Sequence, residues 1–244
     1  MNNALIIGAS SGVGRALAEI LAESGWNLVL SSRSERDLEA VSADLIIRYG
    51  INSQVLTADI NETAGRDKLL LSILKGGKIN YLFITIGDVI ENDNGLQDHI
   101  VRDRLVKTNF LSIMNFLSDL LQSFDKNEKL KIALCSSIAV GRPRKNNLVY
   151  ATSKSAIDFY CRGIQHLFAN TTIRMYIFRL GYIDTSMSYG KKLMFTPVSP
   201  INAAKNIASK LNERRLNHYY PWFWRYITLV IQLIPWKIYK NLTF

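Results

Sequence analysis

A doubly wound α/β fold, with a parallel sheet covered by helices on both faces, is what this sequence predicts. Short apolar, β-branched runs alternate with longer segments of helical period; a glycine-rich turn joins the first such run to the first helix; and no Pro-, Gly- or Ser-rich linker divides the chain. The apolar runs place strands at Ala4–Gly8, Asn27–Ser31, Gln54–Ala58, Tyr81–Thr85, Lys131–Ser136 and Arg174–Arg179. Helical period fills Gly12–Ser24, Glu35–Tyr49, Asp67–Leu74, Asp98–Phe124 and Leu148–Ala169. In the longest of these, Val101, Leu105, Phe110, Ile113, Met114 and Leu117 form a core-facing stripe rather than a ligand site. The organisation expected is one dinucleotide-binding catalytic domain over residues 1–218, with an aromatic, basic appendage over residues 219–244.

With 244 residues, 48% apolar and 20% charged, the chain has the length and composition to bury one substantial core, which excludes a disordered tail, a collagen-like fibre and a disulfide-stapled miniprotein. Cys135 and Cys161 stand in no metal-ligand spacing, and neither do His99, His166 and His218, so two inert thiols in a reducing compartment are expected and no metal site. The apolar run at Ala4–Ile7 is too short for a signal peptide and lacks a basic segment before it, which predicts a cytoplasmic chain.

Thirty Lys and Arg against twenty Asp and Glu give a net charge of +10, which draws anionic partners: nucleic acid, a phosphorylated substrate or acidic lipid. Nucleic acid is the poorest of these, because the basic residues follow no known reading motif. From Arg214 to Phe244 the basic residues Arg214, Arg215, Arg225, Lys237 and Lys240 face no acid. Trp222, Trp224 and Trp236 lie in the same stretch, a mixture suited to peripheral contact with a membrane surface; packing into the substrate pocket or against a second subunit are the rival readings. The uncharged run from Tyr226 to Trp236 contains Pro235 and falls well short of the roughly 20 residues a spanning helix needs.

At the first strand-to-helix turn stands Gly8-Ala9-Ser10-Ser11-Gly12-Val13-Gly14. Absent side chains let backbone approach a pyrophosphate, and the following helix offers unpaired N–H groups and a partial positive charge. Where a fold that binds NAD usually carries an acid after its second strand, this chain has Ser32 and Arg33, a hydroxyl and a guanidinium suited to the 2′-phosphate of NADP(H), with NAD(H) the alternative. Asp59 follows the third strand, placed either beside the adenine or as a helix cap.

The reactive constellation is Ser137, Tyr150 and Lys154, with Asn109 upstream. Four residues apart on a helix, Tyr150 and Lys154 share a face, and an ammonium beside a phenol brings it from its usual ~10 toward working pH, as a general acid for carbonyl reduction requires. Ser137 can hydrogen-bond the same carbonyl oxygen, while Asn109 is read as holding a water that links the lysine to solvent. Arg142, Arg144 and Lys145 fall between Ser137 and Tyr150, and Lys191 and Lys192 in a segment at 184–200, so all five are candidates for a positive rim around the substrate cleft.

On these residues the chain resembles the classical short-chain dehydrogenase/reductases from about Asn3 to Pro200. The resemblance implies a Rossmann-like sheet of about seven strands, the last near His218–Tyr220, and hydride transfer from a nicotinamide. It assigns Asn109, Ser137, Tyr150 and Lys154 as a catalytic tetrad, with Lys154 also on the nicotinamide ribose. Cofactor contacts are implied at Gly8, Ser10, Ser11, Gly12, Val13, Gly14, Ser32, Arg33, Asp59, Ile60, Gly87, Tyr150, Lys154, Gly181, Ile183 and Thr185. Family members often form dimers or tetramers through helices equivalent to Asp98–Phe124 and Leu148–Ala169.

Three departures from the family pattern stand out: Ile7 before the glycine motif, Ile84-Thr85-Ile86-Gly87 where side-chain amides usually tie the sheet centre, and Leu180 before Gly181. A narrower resemblance, in Gly141–Asn147, Tyr219–Tyr226 with Ile234-Pro235, and Thr85–Asp88, points to the ketoreductase partners of decaprenylphosphoryl-ribose epimerase and related polysaccharide-biosynthesis reductases. The expected function is thus NADPH-dependent reduction of a keto group on a phosphate-linked sugar. Reduction of a 3-oxoacyl or other lipid ketone is the alternative, and a non-catalytic dinucleotide sensor or scaffold is the alternative of another class.

Overall fold

A computed structural model of the chain describes residues 2–75, 79–90, 93–125, 127–190 and 194–242. Its sheet holds seven parallel strands, β1 (Asn3–Ile7), β2 (Asn27–Ser32), β3 (Ser53–Thr57), β4 (Tyr81–Ile84), β5 (Leu130–Ser137), β6 (Ile173–Leu180) and β7 (Asn217–Tyr220), in the order β3-β2-β1-β4-β5-β6-β7. Strand order reverses between β1 and β4, and at such a switch point the loops leaving the strands' carboxyl ends diverge and open a crevice. Alternate residues of each strand feed opposite layers. Ala4 and Ile6 of β1 pack with α1 (Gly12–Glu23), α2 (Glu35–Tyr49) and α7 (Pro200–Lys210), while Leu5 and Ile7 pack with α3 (Thr63–Leu74), α5 (Ser112–Ser123) and α6 (Leu148–Leu167).

The expected long helix at Asp98–Phe124 is three pieces: α4 (His99–Val106), a π-helical turn at Lys107–Leu111 and α5. Asn61 explains where the turn sits, since its amide nitrogen donates to Thr108 at 3.2 Å and its amide oxygen accepts from Ser112 at 2.9 Å. Helix α7 lacks a counterpart in the sequence reading, although its start is written in the chain: Pro200 occupies the first turn, and the Ser199 hydroxyl accepts from Asn202 N–H at 3.3 Å. The expected boundary before residue 219 falls inside the sheet, because Tyr219 and Tyr220 pair with Arg179 and Leu180.

Beyond β7 the chain folds back as α8 (Trp224–Leu233) and a short α9 (Trp236–Tyr239). One side of α8 is buried: Trp224 lies against Gly181, and Thr228 against Gly141, where any added Cβ would collide with it. Arg142 fastens this arrangement. Its Nη1 donates to the carbonyls of Ile231 and Ile234, each at 2.6 Å, and its guanidinium lies 3.8 Å from the Tyr239 ring centroid. Both carbonyls lie at the helix C-terminus, where a cation is favoured, and that of Ile231 also accepts from Ile234 N–H at 3.4 Å. Arg142 is therefore a tail anchor and does not line the substrate cleft, contrary to the sequence expectation. Removing a charged donor from two such acceptors typically costs about 1–3 kcal/mol. Arg142→Ala is expected to lower stability by that amount in urea unfolding, with KM for the carbonyl substrate unchanged.

Candidate active site

The crevice at the switch point is a cleft of about 1130 Å³. Its floor is the turn after β1. Gly8 takes φ +96°, and the Gly8 and Ala9 N–H groups donate to the Ser31 carbonyl at 2.8 and 3.1 Å, tying the turn to β2. Where the family pattern has amides, the Thr85 hydroxyl donates to the Ile7 carbonyl at 2.9 Å and approaches the Gly8 carbonyl at 3.3 Å, so one hydroxyl joins β4 to β1. Gly14 does not line the cleft: it lies beneath, where an added Cβ would strike the Gly8 carbonyl, and its part is to let α1 close on the turn. The N-cap of α1, Ser11, makes no side-chain cap bond, so the helix start presents N–H groups to the cleft.

Every other residue expected to touch a cofactor borders this cleft: Gly8, Ser10, Ser11, Gly12, Val13, Ser32, Arg33, Asp59, Ile60, Gly87, Tyr150, Lys154, Gly181, Ile183 and Thr185. A dinucleotide fits what is built here. An open helix N-terminus and a glycine turn face a pyrophosphate position, Arg33 is exposed at one end, and Lys154 is buried at the other. Asp59 is not a helix cap, since Glu62 precedes α3; its Oδ1 accepts from Asn61 N–H at 2.9 Å and so holds the loop after β3.

Three tetrad members, Ser137, Tyr150 and Lys154, meet at the wall formed by β5 and α6. The Ser137 Oγ accepts from Ala139 N–H at 3.1 Å and shares a hydrogen bond with the Tyr150 side chain. Burial pushes the Tyr150 phenol above its ordinary 10, while the Ser137 bond and the Arg144 charge pull it down. Arg144 thus adds a positive charge near the phenol that the sequence reading did not assign to it. Lys154 itself is lowered from 10.5 to about 8, chiefly by burial, and its Nζ donates to the Ile86 carbonyl at 3.1 Å. An ammonium carries three donors, so this contact leaves capacity for ribose hydroxyls.

Asn109, fully buried in the π-helical turn, does not line the cleft. Its Oδ1 accepts from Asp88 N–H and its Nδ2 donates to the Asp88 carbonyl, both at 2.8 Å. The amide thus clamps the loop after β4 beside Lys154. Of the expected rim, Arg144 borders the cleft, Lys145 is exposed away from it, and Lys191 and Lys192 lie outside the described residues. Arg144 Nη1 donates to the Tyr182 hydroxyl at 3.4 Å, and among the described residues it forms no ion pair. Cys135 borders the cleft but burial pushes its thiol up to about 12, and Cys161 is raised likewise, which leaves both unreactive.

Two residues that sequence reasoning missed are Asp93 and Tyr182. Asp93 is fully buried; its Oδ2 accepts from Tyr150 N–H at 2.7 Å and its carbonyl from Leu148 N–H at 2.8 Å, so a loop carboxylate caps the helix that carries Tyr150. No local pattern flags it, because the cap comes from 57 residues upstream.

A profile of the short chain dehydrogenase family matches residues 2–193, and the chain belongs to that family: it is an oxidoreductase acting on alcohol and ketone groups. It is similar to the very-long-chain 3-oxoacyl-CoA reductase of Anas platyrhynchos, 27% identical over 214 residues that cover 82% of this chain and 67% of the relative. An uncharacterized oxidoreductase of Bacillus subtilis, YmfI, is 28% identical over 84% of this chain and 82% of its own length. Among solved structures, a short-chain dehydrogenase from Sphingobium yanoikuyae in complex with NADPH superposes with a TM-score of 0.84 at 19% identity, covering 99% of this chain and 96% of that one. The Thermococcus sibiricus alcohol dehydrogenase complexed with 5-hydroxy-NADP gives 0.81 at 21%, over 90% and 95%.

The buried amine makes a stability prediction with a definite sign. Below about pH 8 Lys154 is charged both folded and unfolded, and the folded chain bears the full desolvation cost; from there to 10.5 the folded amine loses its proton first and the cost is relieved. Lys154→Met is therefore expected to be more stable than the wild type at neutral pH by an amount of order 3 kcal/mol at most, a gap that closes as pH rises toward 10.5. Urea unfolding of both proteins across that range measures it.

Proposed function

We propose that this chain uses NADPH to reduce a ketone carried next to a phosphate, with a polyprenyl-phosphate-linked keto sugar of cell-surface polysaccharide synthesis as the leading substrate class. The observation that carries this reading is Arg144, a cation without an acidic partner among the described residues, in the same cleft as Tyr150 and close enough to act on its charge. A phosphate drawn there by the Arg144 charge would keep the neighbouring carbonyl against the phenol.

When bound, the dinucleotide supplies the hydride. Tyr150 gives its phenolic proton to the carbonyl oxygen, and the Ser137 hydroxyl hydrogen-bonds the same oxygen as charge develops on it. Lys154 holds the nicotinamide ribose and restores the proton to Tyr150. Ser32 and Arg33, with the start of α2, suit a 2′-phosphate; two of the similar structures carry an NADP-type cofactor by their descriptions, which supports the same choice.

The second reading, a 3-oxoacyl or other lipid ketone, is favoured by the duck relative and by an apolar pocket beside the cleft lined by Tyr182, Phe195, Val198, Phe223 and Trp224. A hydride-transfer assay over phosphorylated keto sugars, uncharged keto sugars and 3-oxoacyl thioesters separates the two. Preference for the phosphorylated keto sugars, with Arg144→Ala raising their KM about tenfold or more and Tyr150→Phe abolishing turnover while retaining NADPH binding, is the expected result. Preference for acyl thioesters establishes the second reading, and full turnover by Tyr150→Phe overturns the catalytic assignment.

Cofactor choice has its own test. Arg33→Ala is expected to weaken NADPH binding by about tenfold or more, and NADH binding hardly at all, by titration calorimetry. Equal effects on both would remove Arg33 from the 2′-phosphate site.

A further inference from the structure

Helix α8 is amphipathic in an unusual sense. One side carries Trp224 and Thr228 into the body of the protein. On the other, Trp222, Tyr226, Leu229, Val230 and Leu233 recur at helical spacing and are 71%, 57%, 53%, 61% and 72% exposed. Trp236 and Ile238 of α9 extend the same apolar character into solvent. The exposure does not come from a loose tail: Arg142 binds the last carbonyls of α8, Gln232 Nε2 donates to the Gly141 carbonyl at 3.0 Å, and the Tyr239 hydroxyl donates to the Pro143 carbonyl at 2.7 Å. A contiguous exposed apolar surface on a rigid support marks a contact site.

The charges around it say what the contact is. Arg225, Lys237 and Lys240 are exposed, form no ion pair among the described residues, and belong to a stretch from Arg214 onward that contains no Asp or Glu. A two-fold contact between copies of this face would bring those cations against their own equivalents with no acid to pair them. Anionic lipid headgroups complement them, and Trp and Tyr beside Leu and Val form the composition that rests at the boundary between headgroups and acyl chains. No helix among the described residues is long and apolar enough to cross a bilayer, and the 10 residues of α8 span only about 15 Å, so the helix lies on the surface.

We propose that the outer face of α8 and α9 docks the protein on a bilayer containing anionic lipid. The docked face adjoins the active site: Trp222 borders Phe223, whose ring with Trp224, Phe195 and Pro221 lines the apolar pocket, and Tyr182 lines both that pocket and the catalytic cleft. A substrate with an apolar chain anchored in the bilayer has a short apolar route from the membrane surface to Tyr150. The docking surface stands on its own observations and does not depend on which ketone is reduced.

The test is sedimentation of the full chain with phosphatidylcholine vesicles, with and without phosphatidylglycerol. The wild type is expected to sediment with the mixed vesicles, and to partition on the order of a hundredfold more weakly into phosphatidylcholine alone. Lys237→Gln and Lys240→Gln are each expected to weaken partitioning about fivefold. The double variant Trp222→Glu/Leu233→Glu is expected to lose it while keeping wild-type turnover of a water-soluble ketone, which also reports that the variant is folded. Should that variant be misfolded, quenching of wild-type tryptophan fluorescence by brominated phospholipid decides the matter, with quenching expected. A wild type that stays in the supernatant with both vesicles, tryptophans untouched by brominated lipid, or a folded double variant that partitions like the wild type would overturn the proposal. So would a wild-type dimer that Leu233→Glu splits while no vesicle binding occurs, the result that makes this face a subunit contact.

Discussion

A buried amine at the seam between the sheet and α6 sets the terms for the active site. Lys154 is 3% exposed, and its lowered pKa reflects what that burial costs. Water cannot satisfy it there, so its donors must find partners fixed by the fold. The Ile86 carbonyl, in the loop just after the central strand β4, supplies one. For that carbonyl to be in place, β4 must lie beside β1 with the loop after it held still, which is the work of Thr85 on the Ile7 carbonyl and of Asn109 on Asp88. The chemistry and the sheet centre are thus one structure.

Tyr150 is governed by the opposite balance. Its phenol is buried and so favours the protonated form, the form that the general-acid role proposed for it requires, while the Ser137 hydrogen bond and the Arg144 charge pull the other way. Asp93 reaches the same residue through the backbone, not the ring, and fixes where α6 begins. Position comes from one partner and acidity from others, so geometry and electrostatics at Tyr150 can be altered separately.

The basic loop after β5 divides its residues between two tasks. Arg142 turns toward the tail and Arg144, two positions on, toward the cleft. The ending that resembles a loose appendage in sequence is clamped by the first of these, and it lines the apolar pocket beside the cleft, where Trp224 meets Tyr182 edge-on at 5.4 Å. Rigid support on one side is what leaves the other side of α8 free to be apolar and exposed.

Most of the sheet was legible from alternation of short β-branched runs and helical periods, because burial of a parallel strand on both faces imposes its own composition. The glycine turn and the Tyr150–Lys154 pair were legible because both depend on spacing along one local element. What the chain order does not carry is contact between distant segments. Asp93 capping α6 and Arg142 binding the end of α8 join residues tens of positions apart. Local sequence determined which residues could do chemistry and on which elements they sit; only the packed structure decided which charges face one another, since that depends on how far burial removes water from between them.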